Sequence, residues 1–125
     1  MDRSAADAAA RRWIEGYLRA WGSNDPDDIR VLFTDDASYR FEPWTAPAIG
    51  PDEIVRHWLE RRDDAGSYRF EWDVAAIDGD LVFVEGVTTY DRGVTYSNLW
   101  MIRLDDAGHR ARSLTEWFMD QSNPS

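Results

Sequence analysis

At Ser67 the apolar residues change their spacing, and that change constrains the fold more than any other feature of the chain. Before it they recur at steps of three and four; after it they alternate. Tyr68, Phe70, Trp72 and Val74 alternate with Arg69, Glu71 and Asp73. Asp78-Gly79-Asp80 is a turn signal before the apolar run 81–90, and Asp91-Arg92-Gly93 is another before 94–104. Asp105 to Gly108 then leads to a last strand near Arg110 to Asp120, with Gln121 to Ser125 as a frayed tail. Four consecutive strands joined by tight turns form an antiparallel meander. A meander needs something apolar against one face, and the first half of the chain must supply it.

That first half reads as helix, helix, strand, helix. From Asp7 to Trp21, Ala10, Trp13, Ile14, Tyr17, Leu18 and Trp21 share one face, while Arg11, Glu15 and Arg19 lie opposite with i,i+4 pairing. Gly22-Ser23-Asn24 ends this helix. Asp25 is placed to cap a short second helix, with Pro26 in its first turn and Asp35-Asp36 as its breaker. Ala37 to Glu42 alternates as a strand, Tyr39 and Phe41 on one side, Arg40 and Glu42 on the other. A loop to Pro51 leads to a third helix through about Asp63, buried along Ile54, Val55, Trp58 and Leu59. The expectation is an α+β domain of three helices and about five strands. The two central strands are apolar on both faces, so the outer face packs either on a second copy of the chain, the favoured reading, or under the chain's own loops.

Composition narrows the function classes. With 125 residues, 43% hydrophobic and seven tryptophans, the chain has material for one domain with one good core. Its formal net charge of -10 opposes nucleic-acid binding. There is no cysteine, hence no disulfide and no thiolate chemistry. No apolar run approaches a membrane span and Met1 to Asp7 lacks a signal-peptide core, so a soluble cytoplasmic protein without a membrane partner is expected. Two isolated histidines, His57 and His109, lack metal-ligand spacing, and no phosphate-binding glycine motif occurs, so no metal or cofactor is expected.

The stretch A-W-G-S-N-D-P-D-D-I-R-V-L-F-T-D-D-A-S-Y-R-F-E-P (20–43) and the helix G-P-D-E-I-V-R-H-W-L (50–59) resemble the nuclear-transport-factor-two-like superfamily, and within it SnoaL-like proteins. The resemblance spans roughly residues 7 to 120. It implies a cone, a curved antiparallel sheet wrapped on the long first helix, with a pocket at the open end and a homodimer through the sheet. The fold hosts isomerases, cyclases, dehydratases, hydrolases and non-catalytic binding modules, so it does not by itself set the activity.

By similarity to ketosteroid isomerase, Tyr17 falls at the oxyanion tyrosine and Glu42 at the general base. The second oxyanion donor falls at Trp100, a departure that weakens a steroid-type assignment. The resemblance also turns Asn98, Trp100, Glu116 and Phe118 inward. Glu85 and Glu116 interrupt apolar strands, where a carboxylate needs water, a partner or a pocket. The face of Glu85 depends on the turn. A two-residue turn at Arg92-Gly93, favoured because Gly suits its second position, sets Glu85 across from Trp100. A three-residue loop pairs Tyr90 with Val94 and turns Glu85 to the opposite face. The expected hollow holds Glu42, Glu85 and Glu116 with Tyr17 and Asn98, walled by Trp44, Trp58, Trp100 and Phe118. Such a set suits proton transfer beside the carbonyl of a compact apolar or aromatic ligand. Neutralisation of an acid by Arg40, Arg103 or Arg112 is the structural alternative, and a non-catalytic binding module the functional one. Epoxide hydrolysis, the chemistry of the limonene epoxide hydrolase relatives with their Asp–Arg–Asp group, is a lesser alternative, because no Arg is placed between two acids.

Overall fold

The computed structural model describes residues 2–123; Pro124 and Ser125, part of the expected frayed tail, lie outside the described residues. The rest of that tail is tied down: Gln121 N donates to Thr95 O at 3.0 Å and Asn123 N to Asp120 O at 3.1 Å. Helix α1 runs Arg3–Ser23, four residues earlier than the periodic stripe suggests. Its first turns are alanine-rich, the best intrinsic helix former, and Asp2 accepts the amide of Ala5 as N-cap. Asn24, in the left-handed region at φ 52°, closes it. Arg11 pairs with Asp7 and Asp73, both at 3.0 Å, and not with Glu15.

Helix α2 is Pro26–Arg30, capped by Asp25 as expected. Strand β1 is Phe33–Arg40. Asp35 and Asp36 therefore stand exposed within a strand and break nothing, where the register with β6 is interrupted between Phe33 and Ser38. β1 ends before Glu42, and this early ending matters for the site. A two-residue strand, β2 (Ala48–Ile49), pairs with β1 and leads into α3, Gly50–Glu60. The meander follows: β3 (Tyr68–Asp78), β4 (Leu81–Tyr90), β5 (Thr95–Leu104) and β6 (Ala111–Asp120).

All six strands form one sheet in the order β2-β1-β6-β5-β4-β3. The β1–β6 pair is parallel and every other pair antiparallel. Irregularities at Val74/Ala76, Arg103/Leu104 and Phe33/Ser38 break the register, and such bulges bend a sheet. The resulting curved sheet carries α1 and α3 on its concave face. The core is where the helical stripes meet it: Trp13, Ile14 and Tyr17 of α1 and Ile54 and Trp58 of α3 are all at most 6% exposed.

One carbonyl joins three parts of this frame. Leu32 O accepts both the indole N–H of Trp13 (2.8 Å) and the amide of Ala111 (2.7 Å). It thus locks α1 and β6 onto the entry to β1.

Gly86 sets the inner wall. A Cβ there would meet the Phe70 ring at 2.5 Å and Glu71 O at 3.1 Å. The Phe70 ring stacks on Trp100, 4.9 Å between centroids. Gly86→Ala is expected to push Phe70 against Trp100 and to cost about 1–3 kcal/mol, as overpacking of a filled interior does. Urea unfolding of the variant checks this, and an unchanged midpoint would show that the ring moves freely.

Candidate functional site

A cavity of about 320 Å³ opens between α1, the end of β1, the connection after α3, and the inner faces of β4, β5 and β6. Each element contributes through its local pattern. Tyr17 lies one turn beyond Trp13 on the buried stripe of α1, so its ring must point at the sheet. Tyr39 is the matching inward residue of β1, 1% exposed. Glu116 on β6 is registered against Trp100 on β5, which puts both on the inner face.

These three meet at one point. The Tyr17 hydroxyl donates to Glu116 Oε1 at 2.7 Å, and the Tyr39 hydroxyl donates to the same oxygen. The two hydroxyls are 2.8 Å apart. No described residue donates to Oε2 of Glu116, and no buried polar atom in the described residues lacks a partner. Glu116 lines the cavity, so Oε2 is the oxygen left for a ligand there. Burial pushes the Glu116 carboxyl above the usual glutamate range. The two tyrosine hydrogen bonds oppose that rise, the charge of Glu42 adds to it, and Arg61 subtracts. Burial, then the neighbouring Glu116 charge, holds both tyrosines well above the ordinary phenol range, so both remain donors.

Glu42 also lines the cavity, although strand alternation would have put it on the opposite side from Tyr39. It does so because β1 stops at Arg40 and the chain bends through Phe41-Glu42. Its carboxylate lies 3.6 Å from Arg61 Nε, with the side chain 16% exposed. Arg61 itself rides 4.9 Å over the Phe41 ring and lies near His57, whose ring faces Phe41 at 6.2 Å.

The remaining expected site residues divide. Trp58, Asn98, Trp100 and Phe118 line the cavity. Trp58 donates to Asn24 Oδ1 at 3.1 Å, and the Trp100 ring is 4.5 Å from that of Tyr17. Asn98 Oδ1 accepts from Thr88 at 2.7 Å, which leaves its amide N–H₂ without a partner among the described residues.

Glu85 is not in the site. Tyr90 N donates to Val94 O at 2.9 Å, so the loop has three residues, Asp91 to Gly93, closed by Gly93 at φ 94°. A residue with positive φ at the third loop position is what that loop length asks for. Glu85 consequently pairs with Leu99, not Trp100, and stands exposed on the outer face.

Trp44 is not in the site either. It is 76% exposed, because Thr45 folds back on Glu42 O through both its amide and its hydroxyl and turns Trp44 outward.

Of the arginines expected as neutralising partners, Arg40 donates to Thr45 O at 2.5 Å, while Arg103 and Arg112 both bind Asp80. Arg61, which no spacing singled out, is the partner of Glu42.

Tyr39 and Asp63 were also missed. Tyr39 carried a signal, a phenol on an apolar face like Tyr17. Asp63 carried none. Its Oδ2 accepts the indole N–H of Trp21 (3.0 Å) and the hydroxyl of Tyr90 (2.9 Å), closing the wall between α1 and β4. Burial first and the Asp63 charge second push the Tyr68 phenol up to about 12. No group of three or more acidic or histidine side chains among the described residues is arranged to hold a metal ion. No described helix is long and apolar enough to cross a membrane.

A bent sheet folded over a long helix, with a cavity at its open end, defines the nuclear-transport-factor-two-like class. The chain belongs to the SnoaL-like domain family, which matches residues 14–113. No curated protein matches it in sequence. Among solved structures it is similar to an NTF-2 like protein of unknown function from Burkholderia xenovorans (14% identity, 94% of this chain and 88% of that one, TM-score 0.72). It is also similar to a steroid delta-isomerase from Pseudomonas aeruginosa (20%, 92% and 82%, 0.64). A third is an LEH-like epoxide hydrolase from M. tuberculosis (19%, 90% and 84%, 0.61). At these identities the likeness is one of fold.

Proposed function

We propose that the protein binds a compact apolar or aromatic carbonyl compound in this cavity and moves a proton on it, with Glu116 as the proton carrier. One observation carries this reading: a part-buried carboxyl that lines the cavity is held at one oxygen by two tyrosines, and its other oxygen has no donor among the described residues. A carboxylate that binds its proton more tightly than usual is a better base near neutral pH. Oε2 takes the proton beside the ligand's carbonyl, and the electron pair left behind moves to the carbonyl oxygen. The free amide of Asn98 is a donor for that oxygen. Return of the proton to another carbon completes an isomerisation.

The roles of Glu42 and Tyr17 change accordingly. Tyr17 has its hydroxyl committed to Glu116, and Glu42 has its carboxylate beside Arg61. Glu42 then tunes Glu116 through its charge. Deuterium uptake from heavy water by a panel of aryl ketones and β,γ-unsaturated ketones tests the proposal. Wild type is expected to catalyse exchange on some members and Glu42→Gln to keep it within about tenfold. Exchange by none of the panel favours the non-catalytic binding module.

Arg61 supports a second reading. It stands beside Glu42 and its charge reaches Glu116, so an arginine does sit among two carboxylates. Water activation at an epoxide is the matching chemistry, and ¹⁸O uptake from water into a diol product separates it from proton transfer.

The outer sheet face supports a homodimer. Phe83, Val87, Leu99, Met101, Trp117 and Met119 share it by register, and Met119 is 69% exposed. A patch of that kind costs solvation unless covered. Light scattering is expected to give twice 14.5 kDa for wild type and once that mass for Trp117→Asp. A monomeric wild type would contradict it.

A further inference from the structure

The rim of the cavity carries charge that its interior does not use. Three acids line the cavity, and each already has partners. Glu42 has Arg61, Asp63 has Trp21 and Tyr90, and Glu116 has Tyr17 and Tyr39. Three arginines line it as well, Arg61, Arg62 and Arg92. Among the described residues the Arg62 guanidinium hydrogen-bonds one carbonyl, Leu59 O at 3.3 Å, and the Arg92 guanidinium lies over one ring, Tyr90, at 4.1 Å from the centroid. Among the described residues neither forms an ion pair with a carboxylate.

The two belong to segments far apart in sequence that the fold joins at the mouth. Arg62 follows α3, and Arg92 sits in the β4–β5 loop. The Tyr90 hydroxyl bound to Asp63 at 2.9 Å and the Asp91 amide bound to Ser67 O at 2.9 Å tie those segments together. The chain as a whole is strongly acidic, at -10, so two guanidinium groups without acidic partners at the mouth run against its surface charge.

We infer that the cavity selects aromatic compounds bearing a carboxylate, with Arg62 and Arg92 receiving the anion at the mouth while the ring lies between the aromatic walls. This rests on the reading that the cavity holds a small ligand, and it names the class of that ligand. A guanidinium offers a carboxylate paired N–H donors, which a neutral carboxamide cannot match. Phe41, Tyr96 and Phe118 supply faces and edges for a flat ring. The far end of such a ligand then points toward Glu116 and Asn98. An acidic protein that admits anions needs a local reversal of sign at the entrance, and the two arginines provide it.

Titration calorimetry with 2-naphthoate and its neutral partner 2-naphthamide tests this. Wild type is expected to bind the carboxylate about tenfold tighter, as two exposed charge contacts acting together allow. Added salt is expected to shrink that ratio. Arg62→Gln with Arg92→Gln is expected to reduce it to about twofold, and Arg69→Gln, on the outer face, to leave it intact. Equal affinities in wild type, or a preference that survives the double substitution, would overturn the inference. Binding of neither probe overturns it together with the ligand-cavity reading. Deuterium exchange is read separately, so its loss bears on proton transfer and a lost carboxylate preference on this inference.

Discussion

Glu116→Gln is expected to lower deuterium exchange on any active carbonyl compound by at least about 100-fold, the usual share of a positioned acid–base group. The protein should stay folded. The amide oxygen of Gln can still accept from Tyr17 and Tyr39, and its N–H₂ replaces Oε2 at the cavity wall. What disappears is the ability to take a proton. The same substitution has a second signature in stability. Burial raises the Glu116 carboxyl in the folded state, so the folded protein binds this proton more tightly than the unfolded chain does. Stability from this group is therefore full at pH below the unfolded value and is lost as pH rises through the folded one. Above that window the wild type carries a penalty that the glutamine does not. Thermal unfolding across pH is thus expected to show Glu116→Gln gaining on wild type as pH rises past 4.5, the ordinary value. A constant difference over that range would mean that the carboxyl is not perturbed by its burial.

Trp13→Ala is expected to cost about 3–5 kcal/mol, as loss of a large buried ring does. That is a large share of the roughly 5–15 kcal/mol that holds a domain of this size. Trp13 is 3% exposed, meets Phe33 edge-on at 6.1 Å and Tyr17 at 5.7 Å, and donates to Leu32 O. Its removal leaves a cavity at the joint of α1, β1 and β6. Trp13→Phe separates the two contributions. It keeps most of the ring and drops the hydrogen bond, so about 1–2 kcal/mol is expected. Because Tyr17 is the next turn of the same helix, both variants should also loosen the Tyr17–Glu116 contact and weaken ligand binding. Urea unfolding measures the first effect, and a cost below about 1 kcal/mol for the alanine would show that the joint can repack.

The sequence resolves the fold because its strongest signals are local. The period change at Ser67, the stripe of α1 and the capping residue Asp25 all act within one or two turns, and all lead to elements in the structure. The extra strand, Ala48–Ile49, is two residues long and arises from pairing with Ser38 and Tyr39, so no local periodicity marks it. The parallel β1–β6 pairing has the same origin in distant contacts.

The site is less legible because it is made of such contacts. Glu42 and Arg61 meet across the β1 end and the α3 end, nineteen positions apart, and Asp63 meets Trp21 and Tyr90 from three elements. Where a site residue follows from alternation plus register, as with Asn98, Trp100 and Glu116, its face is readable once one hairpin is known. Glu85 shows how narrow that condition is. One residue more in the β4–β5 loop carries it from the expected hollow to the outer face. The glycine at position 93 suits either loop length, so the residues there did not decide between them. Trp44 fails for another reason: an apolar residue in a loop suggests burial, but the Thr45–Glu42 turn sets its direction.

The protonation of the Glu116 carboxyl can be read without a substrate. Carbon-13 spectra of protein labelled at the glutamate side-chain carboxyls, titrated over pH, report seven glutamates. The resonance missing from Glu116→Gln identifies the buried one. It is predicted to titrate above 4.5, the ordinary glutamate value. Titration of that resonance at or below 4.5 would make Glu116 an ordinary carboxylate and rule it out as a special base.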